Sequence, residues 1–137
     1  MDVNTLNALV SSAIWRAEQL EDLELDAASS AWLEVSKLEE ELTKIKPAED
    51  AEGRIARRGA VRAALKANDF TRAEDLAQRF AENGASRALR KELRDLLKVE
   101  ANGLSERFPS ASRHHKPGEV LRLAKLLLER GPFLLAA

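Results

Sequence analysis

The chain has 137 residues, of which 45% are hydrophobic and 33% charged, with a formal net charge of −1 and no cysteine. This is the composition of one folded domain with enough chain to bury a core, and it excludes disorder, a disulfide scaffold and thiol chemistry. No apolar run reaches the roughly 20 residues needed to span a bilayer. The opening Met-Asp-Val-Asn-Thr lacks the basic flank and apolar block of a signal peptide, so the cytoplasm is the expected location.

The small net charge conceals a split. Residues 1–53 hold 13 acids and 4 bases, a balance of −9, whereas residues 54–137 hold 18 bases and 10 acids, a balance of +8. Either an acidic and a basic face pack together, or a basic surface is offered to an anionic partner.

A first helix is predicted from a cap at Asn4 or Thr5 to about Leu23. Leu6, Leu9, Val10, Ala13, Ala17 and Leu20 form its inner stripe. Trp15 projects from nearly the opposite face. Such a tryptophan is either the anchor of a partner interface or covered by another part of the chain; the second is the commoner outcome and the expectation here. Asp26 is placed to cap a second helix, whose inner face is Ala28, Ala31, Trp32, Val35, Leu38, Leu42 and Ile45. Glu34, Glu39, Glu40 and Glu41 are expected on its solvated surface, with no chemistry assigned. Pro47 ends this acidic hairpin (4–46), and residues 47–53 read as a polar linker.

The basic helical part (54–130) opens with a helix carrying alanine at 56, 60, 63, 64 and 67. At about 100° per residue these form one narrow stripe. Ile55, Val61 and Leu65 lie on the other flank, so this helix is expected between two partners. It ends around Asn68. A fourth helix restarts at Thr71, with Glu74 completing a capping box. Its inner face is Ala73, Leu76, Ala77, Phe80 and Ala81, and Asn83-Gly84 stops it. Ser86 caps a fifth helix, predicted to end near Ala101. There Leu89, Leu93, Leu96 and Leu97 face inward, and Arg87, Arg90, Lys91, Arg94 and Lys98 align on the opposite side. A turn over 104–108 leads to the loop containing Arg113, His114, His115 and Lys116. A sixth helix over 118–130 is apolar around more than half its circumference, Leu121 and Leu128 included. An apolar tail (131–137) follows, with Phe133, Leu134 and Leu135.

The fold predicted is all-α, five to six helices stacked as antiparallel αα-hairpins in a compact bundle or short solenoid. Ala60-Val61, Ala64, the turn Asn68-Asp69-Phe70 and Ala73 resemble a tetratricopeptide-type helical hairpin over Arg54–Gly84. A fainter echo lies 34 residues on, at Ala101-Asn102-Gly103-Leu104-Ser105. That resemblance implies helical stacking and a protein-binding role.

Nothing assembles into an active site. The chain has no tyrosine and two adjacent histidines, and it lacks a phosphate-cradling glycine loop or a His-Glu-x-x-His helix. No enzyme activity, cofactor, metal or small-molecule substrate is expected. Two functions are. The first is a protein-interaction module, an adaptor or small subunit, binding another protein or a second copy through Trp15, Leu121, Leu128, Phe133, Leu134 and Leu135. The alternative is binding to a nucleic-acid backbone through Arg57, Arg58, Arg62, Arg87, Arg90, Lys91, Arg94 and Lys98. Arg113, His114, His115 and Lys116 would join them ahead of a helix N-terminus.

Overall fold

The computed structural model describes residues 2–107. The predicted sixth helix and apolar tail, with Leu121, Leu128, Phe133, Leu134 and Leu135, lie outside them, as does the loop of Arg113, His114, His115 and Lys116. The described residues form five helices: α1 (Val3–Asp22), α2 (Ala27–Ile45), α3 (Ala51–Lys66), α4 (Phe70–Glu82) and α5 (Arg87–Arg107). The fold is all-α.

Short connections make each helix antiparallel to the next. Leu6 and Val10 of α1 share a cluster with Leu42 and Ala56; further along α1, Ala17 meets Ala31, Trp32 and Ala63. Those pairings set α1 and α3 parallel to each other, with α2 running between and behind them. On the far side α3 packs on α4 and α5. Leu76, Leu89 and Leu93, fully buried, fill that half of the core together with Val61, Leu65 and Phe80. Helix α3 is therefore sandwiched, as its two apolar flanks predicted.

The alanine stripe is the inner contact surface of α3: Ala56, Ala60, Ala63 and Ala64 are all at most 1% exposed. The predicted inner face of α4, Ala73, Leu76, Ala77, Phe80 and Ala81, is buried throughout. Ser86 caps α5, accepting a hydrogen bond from the Leu89 amide at 3.1 Å, and Gly84 takes the left-handed conformation expected after α4 (φ +80°).

Several boundaries differ from expectation, each for a local reason. The α1 cap is Asp2, whose carboxylate accepts from the Thr5 amide at 2.7 Å, a stronger acceptor than Asn4 or Thr5. Helix α3 begins three residues before Arg54, because the Asp50 carbonyl already receives the Arg54 amide. Asp69, and not Thr71, caps α4 by accepting from the Arg72 amide. Glu74 is buried in place of closing a capping box. Helix α5 runs through Asn102-Gly103 to Arg107; an interior glycine costs only about 1 kcal/mol and does not stop a helix alone. Leu9 and Ile45 are 41% and 49% exposed, so they leave the predicted inner faces. Ile55 on α3 is likewise 55% exposed.

The α2–α3 connection is drawn tight against its own helix. A Cβ on Gly53 would lie 1.9 Å from the Pro47 carbonyl oxygen and 2.9 Å from that of Lys46. Both obstacles are backbone and cannot rotate away. Gly53→Ala should therefore destabilise the protein by roughly 2 kcal/mol despite the better helix propensity of alanine. Urea unfolding monitored by circular dichroism measures this; an unchanged or raised midpoint would show that the connection yields.

Candidate functional site: a groove between α1 and α3

Because α2 lies behind them, α1 and α3 leave a groove on the front face, and the α2 side chains form its floor. Two adjoining cavities make it up. One of about 310 Å³ is lined by Asn7, Val10, Ser11, Leu42, Ile55 and Ala56 among others. The next, about 330 Å³, is lined by Ile14, Glu18, Trp32, Val35, Arg58 and Arg62 among others. Glu39 and Ile55 belong to both. From Asn7 to Glu18 the groove runs along about 16 Å of helix, three turns.

One end is closed by a side-chain wall. The Trp32 indole N–H donates to Glu21 of α1 at 2.6 Å. Lys66 of α3 lies 4.7 Å over the same ring and 3.7 Å from the Glu21 carboxylate. This triangle ties α1 to α3 across the tryptophan.

Trp15 is 66% exposed and lines neither cavity. Its helical neighbours Ser11 and Glu18, four residues before and three after, both line the groove. No described residue covers it, contrary to expectation; α1 turns this face away from α2, where its packing partners are.

Of the α2 glutamates expected on the solvated surface, Glu34 and Glu41 are exposed, but Glu39 and Glu40 are not. Glu39 is 7% exposed. It follows Val35 by four residues and precedes Leu42 by three, which puts it in the buried stripe, and Gly59 on α3 gives it room. A Cβ at Gly59 would come within 2.8 Å of the Glu39 carboxyl carbon. Burial pushes the Glu39 pKa up to about 7 from an ordinary 4.5, against the opposite pull of the Lys46 charge. Glu40 faces α4. Burial works against its charge, but Arg72 at 2.8 Å and Arg79 at 3.2 Å more than offset that and hold its pKa below the ordinary value. Arg72 also donates to the Ser36 hydroxyl, which itself donates to the Ala60 carbonyl at 2.7 Å.

The predicted basic residues are not gathered into one surface. Arg57 is 8% exposed and donates to the carbonyls of Thr43, Lys46 and Gly53, closing the end of α2 from within the fold. Arg58 and Arg54 both pair with Glu92 of α5. The Arg54 hydrogen bond, assisted by Arg58, holds the Glu92 carboxyl below its usual range. Only Arg62 of the α3 set stands exposed on the groove. On α5, Arg87, Arg90, Lys91 and Lys98 are exposed and Arg94 half-buried. By helical phase they point away from Glu92 and Leu96, the side that meets α3, so they share no face with Arg62. Lys91 pairs with Asp95 at 2.9 Å.

Sequence reasoning missed Glu39, Glu40, Ser36 and Arg72. For Glu39 the phase shared with Val35 and Leu42 was the available signal. No group of three or more potential metal ligands occurs among the described residues, and no described helix is long and apolar enough to cross a membrane. No protein-family profile, curated protein or solved structure matches this chain.

Glu39 predicts an unusual pH dependence. Its folded pKa, about 7, lies above the ordinary 4.5. Between those values the folded chain holds a proton that the unfolded chain releases. Stability is therefore greatest below the lower value and falls as pH rises through the window, by on the order of 3 kcal/mol from this group. Urea unfolding at pH 5 and pH 8 should show the decline in the wild type and its loss in Glu39→Gln; parallel behaviour of the two proteins would mean that Glu39 is hydrated.

Proposed function

We propose that the protein is a non-catalytic interaction module that holds a short segment of a partner polypeptide between α1 and α3. The carrying observation is the groove itself, with Ile14, Trp32, Val35 and half-exposed Ile55 on its walls and floor, and the exposed Trp15 on the same helix next in phase to its lining residues Ser11 and Glu18. Apolar walls, an aromatic anchor close by and a bounding row of charged residues are the features of a binding interface. Three turns of length suit a helical segment of about eleven residues or a shorter extended one.

Backbone binding to nucleic acid is the second reading, and the exposed Arg87, Arg90 and Lys98 on α5 favour it. Arg57 takes no part in it, being committed to carbonyls within the fold. Binding of that kind would be phosphate-driven and steeply salt-dependent.

Affinity purification from the native host separates the two. The wild-type chain should recover a polypeptide that Trp15→Ala weakens and Ile55→Lys loses, with both variants folded, since both positions are exposed. Recovery of material absorbing at 260 nm, lost instead on reversing Arg87, Arg90 and Lys98 to glutamate, would establish the nucleic-acid reading.

A further inference from the structure

The groove floor carries a carboxyl group for which the fold itself has no use. Glu39 is 7% exposed, and it lines both cavities. Among the described residues none donates a hydrogen bond to it, and its oxygens are not sealed in the core but open onto the groove. Gly59 leaves no side chain between the carboxyl and α3; a Cβ there would stand 2.9 Å from Oε1 and 3.0 Å from Oε2.

The charged groups around it are engaged elsewhere or held at the edges. Lys46, at the end of α2, pairs with Glu52 of α3 and acts on Glu39 through its charge, without a hydrogen bond to it. Arg58 is turned to Glu92, and Lys66 lies over Trp32 toward Glu21. Glu18 on α1 and Arg62 on α3 stand on the two banks, both exposed. A carboxylate this largely buried, with no donor from the protein and only the groove side open to water, loses hydration on folding, and a glutamine or a leucine would fill the same space at less cost.

We propose that Glu39 is the recognition point of the groove: it receives the ammonium or guanidinium group of one lysine or arginine that the docked segment inserts between α1 and α3. This rests on the groove being the binding surface. Ile14, Val35 and Ile55 line the way for the alkyl stem of such a side chain, and its head meets the one group on the floor that lacks a donor. An ion pair made there is shielded from solvent and screened far less by salt than one on the rim. An acidic residue at the same point of the segment would face an uncompensated second carboxylate and be rejected. The exposed Arg62 then meets an acidic residue elsewhere on the segment.

The burial that raises the Glu39 pKa to about 7 makes the free site partly protonated at neutral pH. A bound cation draws that proton off, so affinity rises with pH from about 6 to about 8.

The probe is a phage-displayed library of random dodecapeptides panned on the immobilised full chain, with each clone counter-screened on Ile55→Lys. Clones that Ile55→Lys loses should share a lysine or arginine at one position. Their synthetic peptides should bind Glu39→Gln about tenfold more weakly than the wild type. Replacing the shared base by methionine should cause a similar loss on the wild type and little on Glu39→Gln, and weakening at low pH should be confined to the wild type. Groove-dependent peptides with no shared base, or with equal affinity for Glu39→Gln, overturn the role of Glu39 and leave the groove standing. A library that yields no Ile55-dependent clone overturns both.

Discussion

Helices α2 and α3 approach closely because the α3 surface turned to α2 is built from Ala56, Gly59, Ala60 and Ala63. With nothing larger than a methyl group on that surface, the Ser36 hydroxyl of α2 reaches the Ala60 carbonyl of α3, and Arg72 of α4 donates to the same hydroxyl. One serine thereby sets three helices against each other. A carbonyl in mid-helix already has its own amide partner, so this bond uses a spare lone pair and leaves the ladder of α3 intact. A side chain larger than alanine at position 60 would push the helices apart and break the contact with Ser36.

The same approach puts Arg57 within reach of the end of α2. Its guanidinium donates to the carbonyls of Thr43 and Lys46, groups that a helix terminus otherwise leaves to water or to a cap. The sequence offers Pro47 as the stop, and Lys46 adopts the extended conformation that a following proline imposes. Arg57 then supplies the donors that a left-handed glycine cap would have supplied. The cation serves as a structural strut beneath the ring of Phe80, 5.7 Å away. The charge split of the sequence is partly resolved in the same manner. Arg72 and Arg79 meet Glu40, and Lys66 meets Glu21, so bases of the second half neutralise acids of the first across helix interfaces.

Helical phase made most of the fold legible. The alanine stripe, the inner face of α4 and the leucines of α5 are period-3.6 patterns, and all are buried where the pattern puts them except Ala67 and Leu96, which are half-buried. What phase does not contain is the identity of the residue on the facing helix. Glu39 has the phase of Val35 and Leu42, but a carboxylate in a run of glutamates is assigned to solvent by its type. Only Gly59 opposite it makes room for burial, and no local rule pairs residue 39 with residue 59. Trp15 is the converse case. Its phase told correctly that it leaves the inner face of α1, while coverage depended on elements distant in sequence, and none of those described reaches it. The basic residues failed as a set for the same reason: one stripe on a helical wheel divides among an internal strut, an ion pair and solvent once Glu92 and the end of α2 are in place.

The groove is thus a by-product of the close α2–α3 contact. A floor helix set deep between two parallel helices must leave a trough in front of it unless large side chains fill the space, and α3 is constrained to small residues on the side that faces α2. Gly59 and Ala63 stand where a leucine would have filled the trough. Trp32 limits its length, because the indole, tied to Glu21 and overlaid by Lys66, blocks the trough beyond Glu18. The architecture therefore fixes width through the alanine stripe and length through the tryptophan. The chemistry of the floor is left to Glu39, a group that weakens the folded state whenever it carries charge without a counterion. A bound cation reverses that sign, so whatever supplies it gains in affinity part of the stability that the free protein lacks.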